Sequence, residues 1–178
     1  MSDTTGGDQW VGLPGFDRAT PDDAAALIAP CCASVRWIDE LVARRPHGTL
    51  AGITDASDAA IADLSWSAIE QALGAHPRIG DRAKGADRES AWSRQEQSAA
   101  ATPEASAQAA LVAGNVEYER RFGHVFLICA TGKSVEDVLA ALTQRLGNSP
   151  EAEREIVRDE LTQIVRLRLA KLFQRPAC

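Results

Sequence analysis

Apolar residues recur along this chain mostly at helical spacing. In "VEDVLAALTQRL", Val135, Val138, Leu139, Leu142 and Leu146 fall on one face of a helix. The last long segment repeats the pattern: Val157, Leu161, Ile164, Val165, Leu169 and Leu172 form one stripe when residues are placed about 100° apart. "CASVRWIDELVARR" (32–45) reads as an amphipathic helix closed by Pro46-His47-Gly48. "ASDAAIADLSWSAIEQALGA" reads as one or two helices ending just before His76. Residues 76–88 form a charged loop, "SAWSRQEQSAAA" resumes helix, and "EASAQAALVAGNVEYERRF" is a further long helix. "GHVFLICATG" is the only strand-like run. With no partner strands, it predicts a buried crossover into the next helix.

The boundaries carry their own chemistry. Thr20-Pro21-Asp22, Thr102-Pro103-Glu104 and Ser149-Pro150-Glu151 each place a capping hydroxyl, a first-turn proline and an acid facing the helix dipole. "SVED" at 134–137 is a capping box with Asp137 in place of the usual Glu, and Gly147-Asn148 ends the helix that it opens. The expectation is an all-α bundle of seven to nine helices. It forms a single domain over residues 13–175, preceded by a flexible leader over 1–12.

Composition narrows the classes without changing that picture. Aromatics make up only 5% of the 178 residues, too few for a typical β-sandwich. The net charge of −6 argues against nucleic acid as the main partner, and no apolar run approaches the ~20 residues of a membrane span. Cys31, Cys32, Cys129 and Cys178 match no zinc or CxxC spacing, so they read as reduced cysteines of a cytosolic protein.

Polarity breaks the pattern in three places. His76, locked to Pro77, reads either as a helix terminus or as a rigid acid–base group titrating near neutral pH. His47 reads as exposed turn and His124 as part of a glycine-flanked loop. Ser93, Glu96 and Gln97, at i, i+3 and i+4, put a hydroxyl, a carboxylate and an amide on one helix face. That trio is a solvated face, a capping box, or a reader of amide-rich small molecules. Arg168 falls inside the last apolar stripe, between Leu161 and Ile164. There it calls for an anion, either a structural acid such as Glu96 or a ligand carboxylate.

In order along the chain stand His76-Pro77-Arg78-Ile79-Gly80, Ser93-x-x-Glu96-Gln97, "NVEYERRFGHVFLICATG", Arg145-Leu146-x-Asn148 and "RLRLAKL". This set resembles the 2-oxo-4-hydroxy-4-carboxy-5-ureidoimidazoline (OHCU) decarboxylase family over about residues 13–173. The resemblance implies an all-helical homodimer, cytoplasmic here because the end "RPAC" is not a peroxisomal tripeptide, with no metal or organic cofactor. It implies His76, Glu96 and Arg168 as catalytic. It assigns substrate binding to Pro77, Ser93, Arg94, Gln95, Glu96, Gln97, Phe126, Leu127, Ile128, Cys129 and Ala130. The family reaction is the last step from urate to allantoin, a decarboxylation in which the substrate's own C=N is the electron sink. The rival reading is a non-catalytic helical scaffold or interaction module of the same descent.

Overall fold

The computed structural model describes residues 12–80 and 103–174, and among these it contains eight helices and no strand. They are α1 (Leu13–Arg18), α2 (Pro21–Ile28), α3 (Val35–Ala43), α4 (Leu50–Ala62), α5 (Trp66–Leu73), α6 (Pro103–Phe122), α7 (Val135–Arg145) and α8 (Pro150–Phe173). The all-α expectation holds, with the stretch 56–75 resolved as the end of α4 followed by α5.

Caps set the starts. Thr20 Oγ1 accepts the Asp23 N–H at 3.2 Å, and Ser149 Oγ accepts the Ala152 N–H at 3.2 Å. The capping box at Ser134 is complete: its Oγ accepts the Asp137 N–H at 3.1 Å, and Asp137 accepts the Ser134 N–H at 2.9 Å. These bonds satisfy backbone donors that have no partner inside a helix.

The chain divides into two compact units, Met1–Ala72 with Thr162–Cys178, and Leu73–Leu161. In the first, Phe16, Ile28, Trp37, Leu41, Ile53, Ile61, Ile69, Val165 and Leu169 are fully buried. Each such side chain contributes about 1.5–3 kcal/mol of apolar transfer. Trp37 Nε1 donates to buried Ser57 Oγ at 3.0 Å, so the indole N–H is satisfied inside the core. His47 is not an exposed turn residue: it is half-buried, with Nε2 2.9 Å from the Leu41 carbonyl and its ring stacked on Phe16.

The second unit is built on α6 against α7. Leu111, Tyr118, Phe126, Ile128, Val138 and Leu142 form its core. Gly114 permits the close approach of the two helices, because a Cβ there would stand 2.5 Å from Leu142 Cδ2. Residues 125–130 have neither helical nor strand pairing, and 126–129 are buried. This is the buried crossover that the apolar run predicts.

Candidate active site

His76 lies three residues beyond α5, half-buried, and its backbone N–H donates to the Leu73 carbonyl at 2.9 Å. The residues after it are fastened to α6. Arg78 makes a bidentate pair with Glu119, at 2.5 Å and 2.6 Å, which holds the Glu119 carboxyl below its usual range. Asn115 Nδ2 donates to the Ile79 carbonyl at 2.8 Å, and Gln108 Nε2 to the Gly80 carbonyl at 2.6 Å. Gly80 has φ +85°, and a Cβ there would lie 2.9 Å from both Gln108 Nε2 and Leu111 Cδ2. Thus each of Arg78, Ile79 and Gly80 is tied to one helix, and the backbone that carries His76 is anchored just downstream of it.

The second predicted segment, Phe126 to Ala130, leans on the same core: Phe126 and Ile128 belong to it and Ile79 packs against it. With no neighbouring strand among the described residues, its backbone groups need other partners. Arg145 Nη1 donates to the Leu127 carbonyl at 2.8 Å, Glu160 Oε2 accepts the Cys129 N–H at 2.7 Å, and Lys133 Nζ donates to the Cys129 carbonyl at 3.0 Å. Lys133 N–H donates to the Ala130 carbonyl at 3.0 Å. The N–H and C=O groups of Phe126 and Ile128 have no hydrogen-bond partner among the described residues.

Arg145 belongs to a buried polar network. Its Nε donates to Glu153 Oε1 at 2.8 Å and its Nη2 lies 2.6 Å from the same oxygen, while Asn148 Nδ2 donates to Glu153 Oε2 at 2.8 Å. The Tyr118 hydroxyl also donates to Glu153. Burial and that acceptance push the Tyr118 phenol well above its usual range, so it stays a donor. The guanidinium lies 4.6 Å over the Phe126 ring. Sequence reasoning picked out Arg145 and Asn148 as a motif but missed Glu153. The signal was available: Glu153 sits four residues before Val157, on the face of the same stripe.

Arg168 belongs to the first unit. Its side chain is half-buried, and its Nη1 donates to the carbonyls of Cys31 at 3.1 Å and Pro30 at 3.3 Å. Among the described residues it makes no ion pair, and the two carbonyls it meets lie just past the C-terminus of α2, where the helix dipole favours a cation. Burial raises the Cys31 thiol to about 11 even though Arg168 pulls the other way, and burial raises Cys32 as well, so both remain thiols at neutral pH. Ser93, Arg94, Gln95, Glu96 and Gln97 lie outside the described residues. An open groove of about 490 Å³ lined by Val35, Arg36, Asp39, Ser67, Ala68 and Gln71 contains none of the predicted site residues.

Solved structures share this fold. The chain superposes with a TM-score of 0.69 on a crystal structure of OHCU decarboxylase determined in the presence of (S)-allantoin, at 28% identity over 88% of this chain and 100% of that one. An (S)-allantoin synthase shares the fold at a TM-score of 0.64 and 18% identity, covering 91% of this chain and 54% of that one. Residues 17–170 match the OHCU decarboxylase family, and the chain belongs to it. It is 35% identical over 150 residues to the uric acid degradation bifunctional protein TTL of Arabidopsis thaliana, covering 83% of this chain and 46% of that protein. An OHCU decarboxylase of Amia calva is 43% identical over 63 residues, 35% of this chain and 36% of that one. The Haloferax volcanii OHCU decarboxylase is 29% identical over 140 residues, 77% and 81% of the two chains. The chain therefore spans less than half the length of the first two of these relatives.

Proposed function

We propose that this chain decarboxylates 2-oxo-4-hydroxy-4-carboxy-5-ureidoimidazoline to (S)-allantoin, closing the degradation of urate, without a cofactor. Family membership over residues 17–170 carries the reading. The backbone of Phe126 and Ile128 supports it, since buried amide groups with no partner among the described residues suit a ligand made of urea and ring amides.

In the reaction, the C–COO⁻ bond breaks and its electron pair forms a C=C bond to the ureido-bearing carbon, while the C=N pair moves to nitrogen, which takes a proton. CO2 leaves. The resulting enol loses its hydroxyl proton as the ureido carbon gains one, giving allantoin. His76 transfers one of these protons. Glu96 holds a hydroxyl or ureido N–H and orients the imidazole, and Arg168 orients a substrate oxygen rather than clamping the departing carboxylate tightly, which would stabilise the ground state. Pro77, Ser93, Arg94, Gln95 and Gln97, with the backbone of 126–130, bind the substrate. Delivery of the proton to one face makes the product one enantiomer. The same reading makes the enzyme a cytoplasmic homodimer.

The test generates the ureidoimidazoline from urate in situ with the two preceding enzymes and follows allantoin by near-ultraviolet circular dichroism. Rapid growth of one enantiomer is expected, slowed on the order of 10²–10⁴-fold in His76→Ala. Slow racemic product with the unaltered chain would overturn the proposal.

A further inference from the structure

We propose that Glu160 is a positioning residue for this reaction, acting through the main chain of Cys129 rather than on substrate. The inference rests on the functional reading above. The segment 126–130 carries the substrate-facing amides in that reading, yet it belongs to no sheet among the described residues, so nothing repetitive sets its register. Side chains do so instead. The Leu127 carbonyl is fixed from α7 by Arg145, and the Cys129 carbonyl is held by Lys133. From α8, Glu160 fixes the Cys129 N–H.

Residues two apart present their backbone groups to the same side of an extended chain. Tying Leu127 and Cys129 thus leaves the intervening Ile128, and Phe126 before it, with N–H and C=O groups available for a ligand. Glu160 is the member of this set that can be tested cleanly. Arg145 is buried with Glu153 and its removal threatens the fold. Glu160 is only half-buried, and among the described residues the bond to Cys129 is the sole hydrogen bond of its side chain. A carboxylate accepting from a backbone N–H forms a charge-assisted bond, stronger than a neutral one, so its loss should loosen the segment locally and spare the helices.

The experiment compares the full chain with Glu160→Ala and Glu160→Gln. Amide hydrogen exchange read by mass spectrometry, without substrate, is expected to rise about tenfold in Glu160→Ala for the peptide covering 126–131, with α6 and α7 unchanged. Steady-state kinetics should show KM raised about tenfold and kcat within about threefold. Glu160→Gln, which keeps an acceptor oxygen, should restore both readouts to within about threefold. Unchanged exchange in Glu160→Ala would overturn the proposal, as would loss of protection throughout the chain or a Glu160→Gln variant as impaired as Glu160→Ala. Failure of the functional reading is separate: the unaltered chain would then be inactive while the exchange result stood.

Discussion

Replacing Glu153 by Gln isolates the worth of the buried polar network, because the two side chains have nearly the same volume and no cavity is opened. Glu153 is fully buried. Four donors converge on it: the Tyr118 hydroxyl, Arg145 Nε and Nη2, and Asn148 Nδ2. A glutamine offers one acceptor oxygen, and its NH2 faces donors. The Arg145 guanidinium, with 7% of its side chain exposed, is left with an uncompensated charge. Breaking a buried pair from one side costs about 3–5 kcal/mol. For a chain of this size, 1 kcal/mol moves Tm by roughly 2–4 °C, so the expected fall is on the order of 6–20 °C. Urea unfolding at neutral pH, followed by far-ultraviolet circular dichroism, measures the free energy. Glu151→Gln, an exposed acid in the same first turn of α8, is the control and should stay within about 0.5 kcal/mol of the parent. A loss below about 1 kcal/mol in Glu153→Gln would show that the network contributes little.

Two further outcomes follow from the anchored loop after His76. Gly80→Ala forces a side chain into a positive-φ position that Gln108 and Leu111 crowd, so urea unfolding should show a loss of at least about 1 kcal/mol, and an unchanged midpoint would contradict the strain. The Glu119 carboxyl is held below its ordinary 4.5 by its hydrogen bonds to Arg78, so its folded-state proton affinity is depressed. Its stabilising contribution is complete above that ordinary value and is lost as pH falls through the lowered one. Between pH 7 and pH 3 the parent should therefore lose more stability than Glu119→Gln, and equal losses would refute the linkage.

Local chemistry was the legible part of this chain. Ser134 and Asp137 announce their capping box within four residues, and both of its bonds form. Of the predicted stripe, Val157, Leu161, Val165 and Leu169 are fully buried, whereas Ile164 and Leu172 at its edges are half-buried. By contrast, α1 is six residues long, too short for periodicity to show. The roles of Arg78, Ile79 and Gly80 were equally hidden, because their partners Glu119, Asn115 and Gln108 stand 41, 36 and 28 residues away. For Arg168 a helical wheel gives the face but not the partners: the Pro30 and Cys31 carbonyls that its Nη1 meets lie more than 130 residues earlier in the chain. Glu153 is the instructive omission. The stripe test that singled out Arg168 places Glu153 on the same face, and a buried acid there asks for a cation such as Arg145.

Helix α8 belongs to both compact units, its early turns to the one formed by residues 73–161 and its later turns to the other. Val165 and Leu169, fully buried in the first unit, are therefore made more than ninety residues after that unit's other helices, by the difference between 165 and 72. During synthesis the unit 73–161 has all of its chain first, while the helices before residue 73 wait with an unfilled core until Val165 and Leu169 have been made. Of the two units, the one that begins at the N-terminal helices is thus completed after the other, and those nascent helices expose apolar surface for longer. That interval is where chaperone capture or aggregation would act on this chain.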